Sequence, residues 1–234
     1  NRDFTDRSAS AVEPRACDVG GQAAEVRVST LRIETELAKR TMCGIAGIWR
    51  PDAGSCDEAA LHRMTHALAH RGPDEFGFHL EPGVALGHRR LSVIDLVSGR
   101  QPLCNEDGSV WVVFNGEIFN YVELRARLLK QGHVFRTQSD TETLVHLYED
   151  KGPAFVDDLN GQFAFALWDR KCRRLVLARD RVGIRPLFHA TLPDGAVLFG
   201  SEVKALLAHV ALRAEIDAVA LGQIATFWAT VPPR

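Results

Sequence analysis

The sequence predicts an α+β fold with antiparallel sheets, and three observations carry that reading. Short apolar, strand-like runs cluster toward both ends of residues 43–234, and helical periodicity occupies the middle. The regular strand–helix–strand alternation of a doubly wound fold is absent. The run 163–168, FAFALW, is apolar at every position, as suits a strand buried on both faces.

Taken in order, residues 43–49 (CGIAGIW) read as a first strand. Ser55 followed three residues later by Glu58 has capping-box spacing, and Ala60, Leu61, Met64 and Leu68 then share a helical face that stops near Gly72 and Pro73. Strands are expected over 84–94 and 110–115, separated by the turn formers Asn105, Asp107 and Gly108. The pattern over 121–131 is helical, with Gly132 as its stop. Ser139 and Glu142 repeat the capping-box spacing ahead of a helix over 140–149, whose Leu144, Val145 and Tyr148 share a face. Residues 175–179, 186–190 and 197–200 read as further strands, and helical patterns over 202–209 and 217–227 close the chain.

A formal charge of -2 gives no electrostatic reason to expect nucleic acid or an anionic membrane as partner. No stretch approaches the roughly 20 apolar residues of a membrane span. Five cysteines, Cys17, Cys43, Cys56, Cys104 and Cys172, are widely spaced and form no CxxC pair, which argues against a disulfide framework or zinc cluster and for a reducing, cytoplasmic setting. His62, His66 and His70 recur every four residues, but no cysteine comes after them at ligand spacing, and a solvated face is the simpler reading. Residues 1–42 differ in composition from residues 43–234 and read as an N-terminal extension, disordered or removed in the mature protein.

Cys43, directly behind Met42, is the most informative residue. If it were the first residue, its α-amine, with a pKa of about 7.7–8.0, could take the proton of a thiol near 8.5 without a separate histidine. An amide-bonded nitrogen could not, so the extension has to be absent from the active form. In FNGEIFNY (114–121), Asn115 and Gly116 sit at a strand end where a side-chain amide and a backbone N–H can form an oxyanion hole, though an Asn-Gly turn reads equally from the dipeptide alone. Arg90 suits a substrate carboxylate or a structural ion pair. Asp140 suits a substrate ammonium or the start of a helix. An amino-acid substrate needs both charges, which links the two.

Together, CGIAGIW, HRGPD (70–74), GHRRLSVIDL (87–96), QPL (101–103), FNGEIFNY, SDTE (139–142), DDLNGQFAFALWD (157–169), ARDRVGIRPLF (178–188) and SEVKAL (201–206) resemble the N-terminal-nucleophile glutamine amidotransferases, and among them the glutamine-hydrolysing asparagine synthetases. The resemblance covers about residues 43–234. It implies a four-layer αββα sandwich, with a glutaminase domain over 43–212 and the start of an interdomain connection over 213–234. It further implies that Cys43 attacks the side-chain amide of L-glutamine while Asn115 and the Gly116 N–H hold the oxyanion. Arg90 would hold the substrate carboxylate, Asp140 and Glu117 the ammonium, and Leu91 and Val93 would line the pocket. No metal or organic cofactor is implied for this half. ATP and Mg are implied for a second, synthetase domain that amidates aspartate through an SGGxDS phosphate loop, a motif this chain lacks. The resemblance admits a homodimer. It leaves open another carboxylate acceptor, or a catalytically silent interaction module.

Overall fold

A computed structural model describes residues 42–91 and 99–229. The strands are β1 (Gly44–Trp49), β2 (Glu75–Glu81), β3 (Val84–Arg90), β4 (Leu103–Cys104), β5 (Val110–Ile118), β6 (Gly161–Asp169), β7 (Arg174–Arg179), β8 (Phe188–Thr191) and β9 (Val197–Gly200). The helices are α1 (Glu58–His66), α2 (Tyr121–Gln131), α3 (Thr141–Lys151), α4 (Val203–Leu207) and α5 (Ala218–Phe227), with a 3₁₀ segment over Gly152–Asp158.

The strands form two antiparallel sheets, ordered β2-β3-β1-β9-β8 and β4-β5-β6-β7. The first sheet joins both ends of the domain, because β1 lies between β3 and the late strand β9.

Side-chain alternation along the strands builds the layers. Ile45, Val84, Leu86 and Phe199 of the first sheet meet Val113, Ala164, Ala166 and Trp168 of the second in one buried cluster. The opposite face of the first sheet, through Ala46, Ile48, Ala85 and Leu198, packs on Leu61 and Met64 of α1 and Leu206 of α4. The opposite face of the second, through Val112, Phe114, Phe163, Phe165 and Leu167, packs on Leu124 and Leu128 of α2 and Leu144 and Leu147 of α3. The result is the αββα sandwich. β6 is buried on both faces, as its unbroken apolar run predicts, and each large side chain so placed contributes about 1.5–3 kcal/mol.

Several local expectations are corrected. β2 has no counterpart among the predicted strands: it lies at a sheet edge, glutamates flank it, and Phe76 is largely exposed, so its apolar alternation is weak. Neither capping box forms. α1 is capped by Asp57, whose carboxylate accepts from the Ala60 N–H at 2.9 Å, and it ends at His66 rather than near Gly72. At α3, Glu142 turns back and accepts from the N–H groups of Arg136 and Thr137, both at 2.7 Å, while Ser139 Oγ accepts from the Thr141 N–H. That helix is buried all round from Thr141 to Tyr148 rather than on one face. By contrast, α2 ends where the sequence predicts, with Gly132 in the left-handed region at φ 100°.

Candidate active site

Period-two alternation brings the central residues to one place. Cys43 has the parity of Ile45, Arg90 that of Val84 and Leu86, and Asn115 that of Val113, so all three belong to the faces that meet between the sheets. They line one cavity of about 230 Å³ at the end of the inter-sheet layer, together with Met42, Leu91, Gly116, Glu117 and Asp140. His88, one register step from Arg90 on the same face, ties the two sheets here through its contact with the Phe114 carbonyl at 3.1 Å. Seven of the eight residues singled out in the sequence therefore converge. Val93 lies outside the described residues.

The Cys43 thiol is held by the backbone of Leu91, whose N–H donates to Sγ at 3.4 Å and whose carbonyl lies at 3.6 Å. Leu91 thus acts through its backbone as well as by lining the pocket. Burial raises the thiol pKa, opposed by the Leu91 N–H and by the positive charges of Arg90 and Arg71. A thiolate is disfavoured by its surroundings until a base takes the proton, and two guanidiniums stand ready to stabilise it.

Asn115 is 1% exposed, and neither its Oδ1 nor its Nδ2 has a hydrogen-bond partner. A buried carboxamide left unpaired costs about 1–3 kcal/mol, so this side chain is shaped for something the cavity receives. Neighbouring Gly116 admits no side chain, because a Cβ would collide with the Gln162 carbonyl and the Phe163 backbone across the β5–β6 ladder. Asn115 and Gly116 are thus strand residues in register with Ala164 and Phe163, and the Asn-Gly turn reading is excluded.

Asp140 is 4% exposed and does not cap its own helix. Its Oδ2 instead accepts from the Ile118 N–H at the end of β5, at 2.9 Å. Burial raises its pKa, opposed by the N–H groups of Ile118 and Thr141 and the Ser139 hydroxyl, with the Glu117 charge adding to the rise. Glu117 itself is exposed at the rim. Arg90 forms the ion pair that the sequence held as its alternative, donating to Glu75 Oε2 at 2.9 Å, and also lines the cavity.

Four supporting residues were not singled out by their chemistry. Arg71 donates through Nε to the Cys43 carbonyl at 3.1 Å and through Nη1 to Glu202 at 3.1 Å, which fixes the chain on which the thiol sits. Burial works against ionisation of Glu202, but Arg71, Lys204 and His70 hold its pKa down to about 2. Arg185 lines the cavity with a buried, unpartnered Nε. Gln101 accepts from the Phe114 N–H at 2.6 Å. All four lie in or beside segments that carry the resemblance, the only signal that could have found them. His62, His66 and His70 have separate partners, namely the Phe78 ring, Arg89 and Glu202.

Sandwich and cavity together define an amidotransferase of the N-terminal-nucleophile type. The chain belongs to the glutamine amidotransferase domain family, whose profile matches residues 42–234. Within that family it is similar to glutamine-hydrolyzing asparagine synthetases. It is 47% identical over 171 residues to asparagine synthetase 2 of Bacillus subtilis (strain 168), an alignment covering 72% of this chain and 22% of that protein. With asparagine synthetase 3 of the same organism it shares 43% identity over 187 residues, covering 78% of this chain and 30% of that one. Among solved structures it resembles the glutamine phosphoribosylpyrophosphate amidotransferase from B. subtilis complexed with ADP and GMP. That match has a TM-score of 0.61 and 26% identity, covering 72% of this chain and 44% of the other. The chain thus spans less than a third of the length of these synthetases. No described helix is long and apolar enough to cross a membrane.

Proposed function

We propose that residues 43–212 are the glutaminase half of an asparagine synthetase, hydrolysing L-glutamine to glutamate and ammonia. The observation that carries this reading is the buried, unpartnered Asn115 carboxamide in the cavity that holds the Cys43 thiol. Cys43 Sγ attacks the side-chain carbonyl carbon of glutamine, and its proton passes to the α-amine of the same residue. Asn115 Nδ2 and the Gly116 N–H stabilise the oxyanion. The amine returns the proton to the leaving nitrogen, the C–N bond breaks, and ammonia departs from a thioester. Water then attacks the thioester, the C–S bond breaks, and glutamate leaves. Arg90, oriented by Glu75, holds the substrate carboxylate, and Asp140 with Glu117 holds the ammonium.

The α-amine is free only after the Met42–Cys43 bond is broken, so residues 1–42 are absent from the active form. Met42 lines the same cavity, which puts that bond at its wall. ATP and Mg belong in this reading to a companion synthetase domain, joined through residues 213–234, which uses the ammonia to amidate aspartate. The higher identity to asparagine synthetases, 43–47% against 26% for the phosphoribosylpyrophosphate enzyme, favours aspartate over other acceptors.

Cys43→Ala abolishes ammonia release from glutamine while the circular dichroism and melting temperature stay those of the parent. Ammonia release by the purified variant at the parental rate would rule the assignment out. Intact mass of turnover-competent protein should show Cys43 as the first residue, and residues 1–42 retained in all active molecules would overturn the role of the amine.

A further inference from the structure

A second cluster of chemistry-bearing side chains lies on the part of α3 beyond the substrate-facing Asp140. One donor atom from each of Glu106, His133 and His146 falls within 4.8 Å of the others. The three come from different segments: the loop between β4 and β5, the residue after the Gly132 stop of α2, and α3 itself. Glu149, one turn beyond His146, adds an oxygen at 3.0 Å from His146 Nδ1 and 3.7 Å from His133 Nδ1, while Glu106 Oε2 is 3.7 Å from His146 Nδ1. We infer that Glu106, His133, His146 and Glu149 form a site for a divalent first-row transition metal such as Zn²⁺.

Spacing is the first argument. A tetrahedral ion with ligand bonds of about 2.0–2.1 Å needs its donors roughly 3.3 Å apart. Three donor pairs, at 3.0, 3.7 and 3.7 Å, lie near that value, and the separations among Glu106, His133 and His146, all within 4.8 Å, close to it by small side-chain movements. The second argument is how the groups are held. Histidine ligands present one ring nitrogen to the metal and the other to a carboxylate. Here His133 turns Nδ1 inward and Nε2 toward Asp150 at 3.0 Å, whereas the buried Nε2 of His146 faces Glu142 at 3.8 Å, too far for a hydrogen bond. Glu149 is oriented by the Asn105 amide, which donates to its other oxygen at 2.7 Å. Charge is the third. Four carboxylates, Glu106, Glu142, Glu149 and Asp150, surround two imidazoles, while the nearby Arg136 guanidinium is directed at the Glu106 carbonyl and Lys171 at Asp107. The mixed nitrogen and oxygen donor set suits Zn²⁺, Co²⁺ or Ni²⁺ better than Mg²⁺ or Ca²⁺, which prefer oxygen alone. His146 is fully buried, whereas Glu106 and Glu149 are about one-third exposed, so an ion has a path in. The ion would join three segments around α3 and so brace the helix that carries Asp140. Nothing in the sequence alone points to a metal here.

The test uses the full chain carrying Cys43→Ala, which removes the catalytic thiol as a competing ligand. After chelation and dialysis it is titrated with Co²⁺, followed by visible absorption, and with Zn²⁺, followed by calorimetry and the melting temperature. One equivalent per chain should bind, with tetrahedral Co²⁺ bands, no thiolate charge-transfer band, and a higher melting temperature. Asp150→Asn, which removes only an outer partner, should weaken affinity about 10–100-fold, and His133→Gln should weaken it more. Should His146→Ala fail to fold, His133→Gln and Glu106→Gln, at more exposed positions, carry the test. Absence of stoichiometric binding, or binding that His133→Gln leaves unchanged, would show the cluster to be an ion-pair network only.

Discussion

Asp140 and Asp180 are both buried aspartates next to secondary-structure ends, 4% and 7% exposed, and they have opposite electrostatic character. Asp180, in the loop after β7, accepts from the N–H groups of Phe163, Ile184 and Arg185 at 3.2, 2.9 and 3.0 Å. Burial works against its ionisation, but those backbone donors, with Gly183, prevail and lower its pKa. Asp140 accepts from the Ile118 N–H at 2.9 Å, with weaker support from the Thr141 N–H and the Ser139 hydroxyl, and burial prevails to raise its pKa. A carboxylate whose lone pairs are saturated by the chain is part of the architecture. One buried with lone pairs to spare at a cavity wall can accept a cation, the role proposed for Asp140. The same contrast separates unpartnered Asn115 from Asn105, whose Oδ1 accepts from Ser109 and Val110 and whose amide donates to Ser109 and Glu149.

If that contrast is right, substitutions in the two regions should move different observables. Asn115→Ala should lower kcat about 10²–10³-fold, or about 2.7–4 kcal/mol, with little loss of stability, because in the unliganded protein the amide holds nothing. A denaturation midpoint well below the parent's would place Asn115 among the structural groups. Asp180→Ala strands three backbone donors and should cost about 2–3 kcal/mol in urea unfolding while leaving KM unchanged. Asp140→Asn should raise the KM for glutamine about tenfold, equivalent to about 1.4 kcal/mol, with kcat nearly retained; an unaltered KM would remove Asp140 from the ammonium site.

The two aspartates should also differ in pH dependence. Folding favours ionised Asp180, so its contribution is fully present above the unfolded value of about 3.9 and is lost as pH falls through its lower folded value. Asp180→Asn should flatten that acid limb. For Asp140 the sign reverses: its folded value is raised, so the ionised form opposes folding at neutral pH and that cost disappears on acidification. Asp140→Asn should therefore hold or raise stability at pH 7. In the parent, KM should climb as pH falls through the raised Asp140 value, and a flat KM across that range would break the pairing.

Legibility in the chain tracks the physical range of each interaction. The α2 boundaries and the Gly132 stop were legible because helix periodicity and the left-handed preference of glycine act within a few residues. β6 was legible because a strand covered on both faces has to be apolar throughout. β2 was not, since an edge strand is stabilised chiefly by its ladder to β3. Neither capping box forms because other pairings prevail: the Glu142 carboxylate is taken by the Arg136 and Thr137 N–H groups, and the cap of α1 falls two residues after the expected one, with Asp57 accepting from the Ala60 N–H.

The order of amino acids specifies which groups are available: a thiol behind Met42, an Asn-Gly pair, one arginine and one aspartate suited to an amino acid's two charges, and ordered segments that resemble one family. That these groups share a cavity is a consequence of packing. Residues 43, 90, 115 and 140 come from four separate segments; stacking two sheets turns the alternations of the first three toward a common layer, and the Ile118 N–H holds Asp140 beside it. Packing also chose between readings the chain left equal. It put Asn115 and Gly116 in a ladder rather than a turn, and it turned Asp140 away from its own helix, because hydrogen-bond partners are assigned by proximity in space.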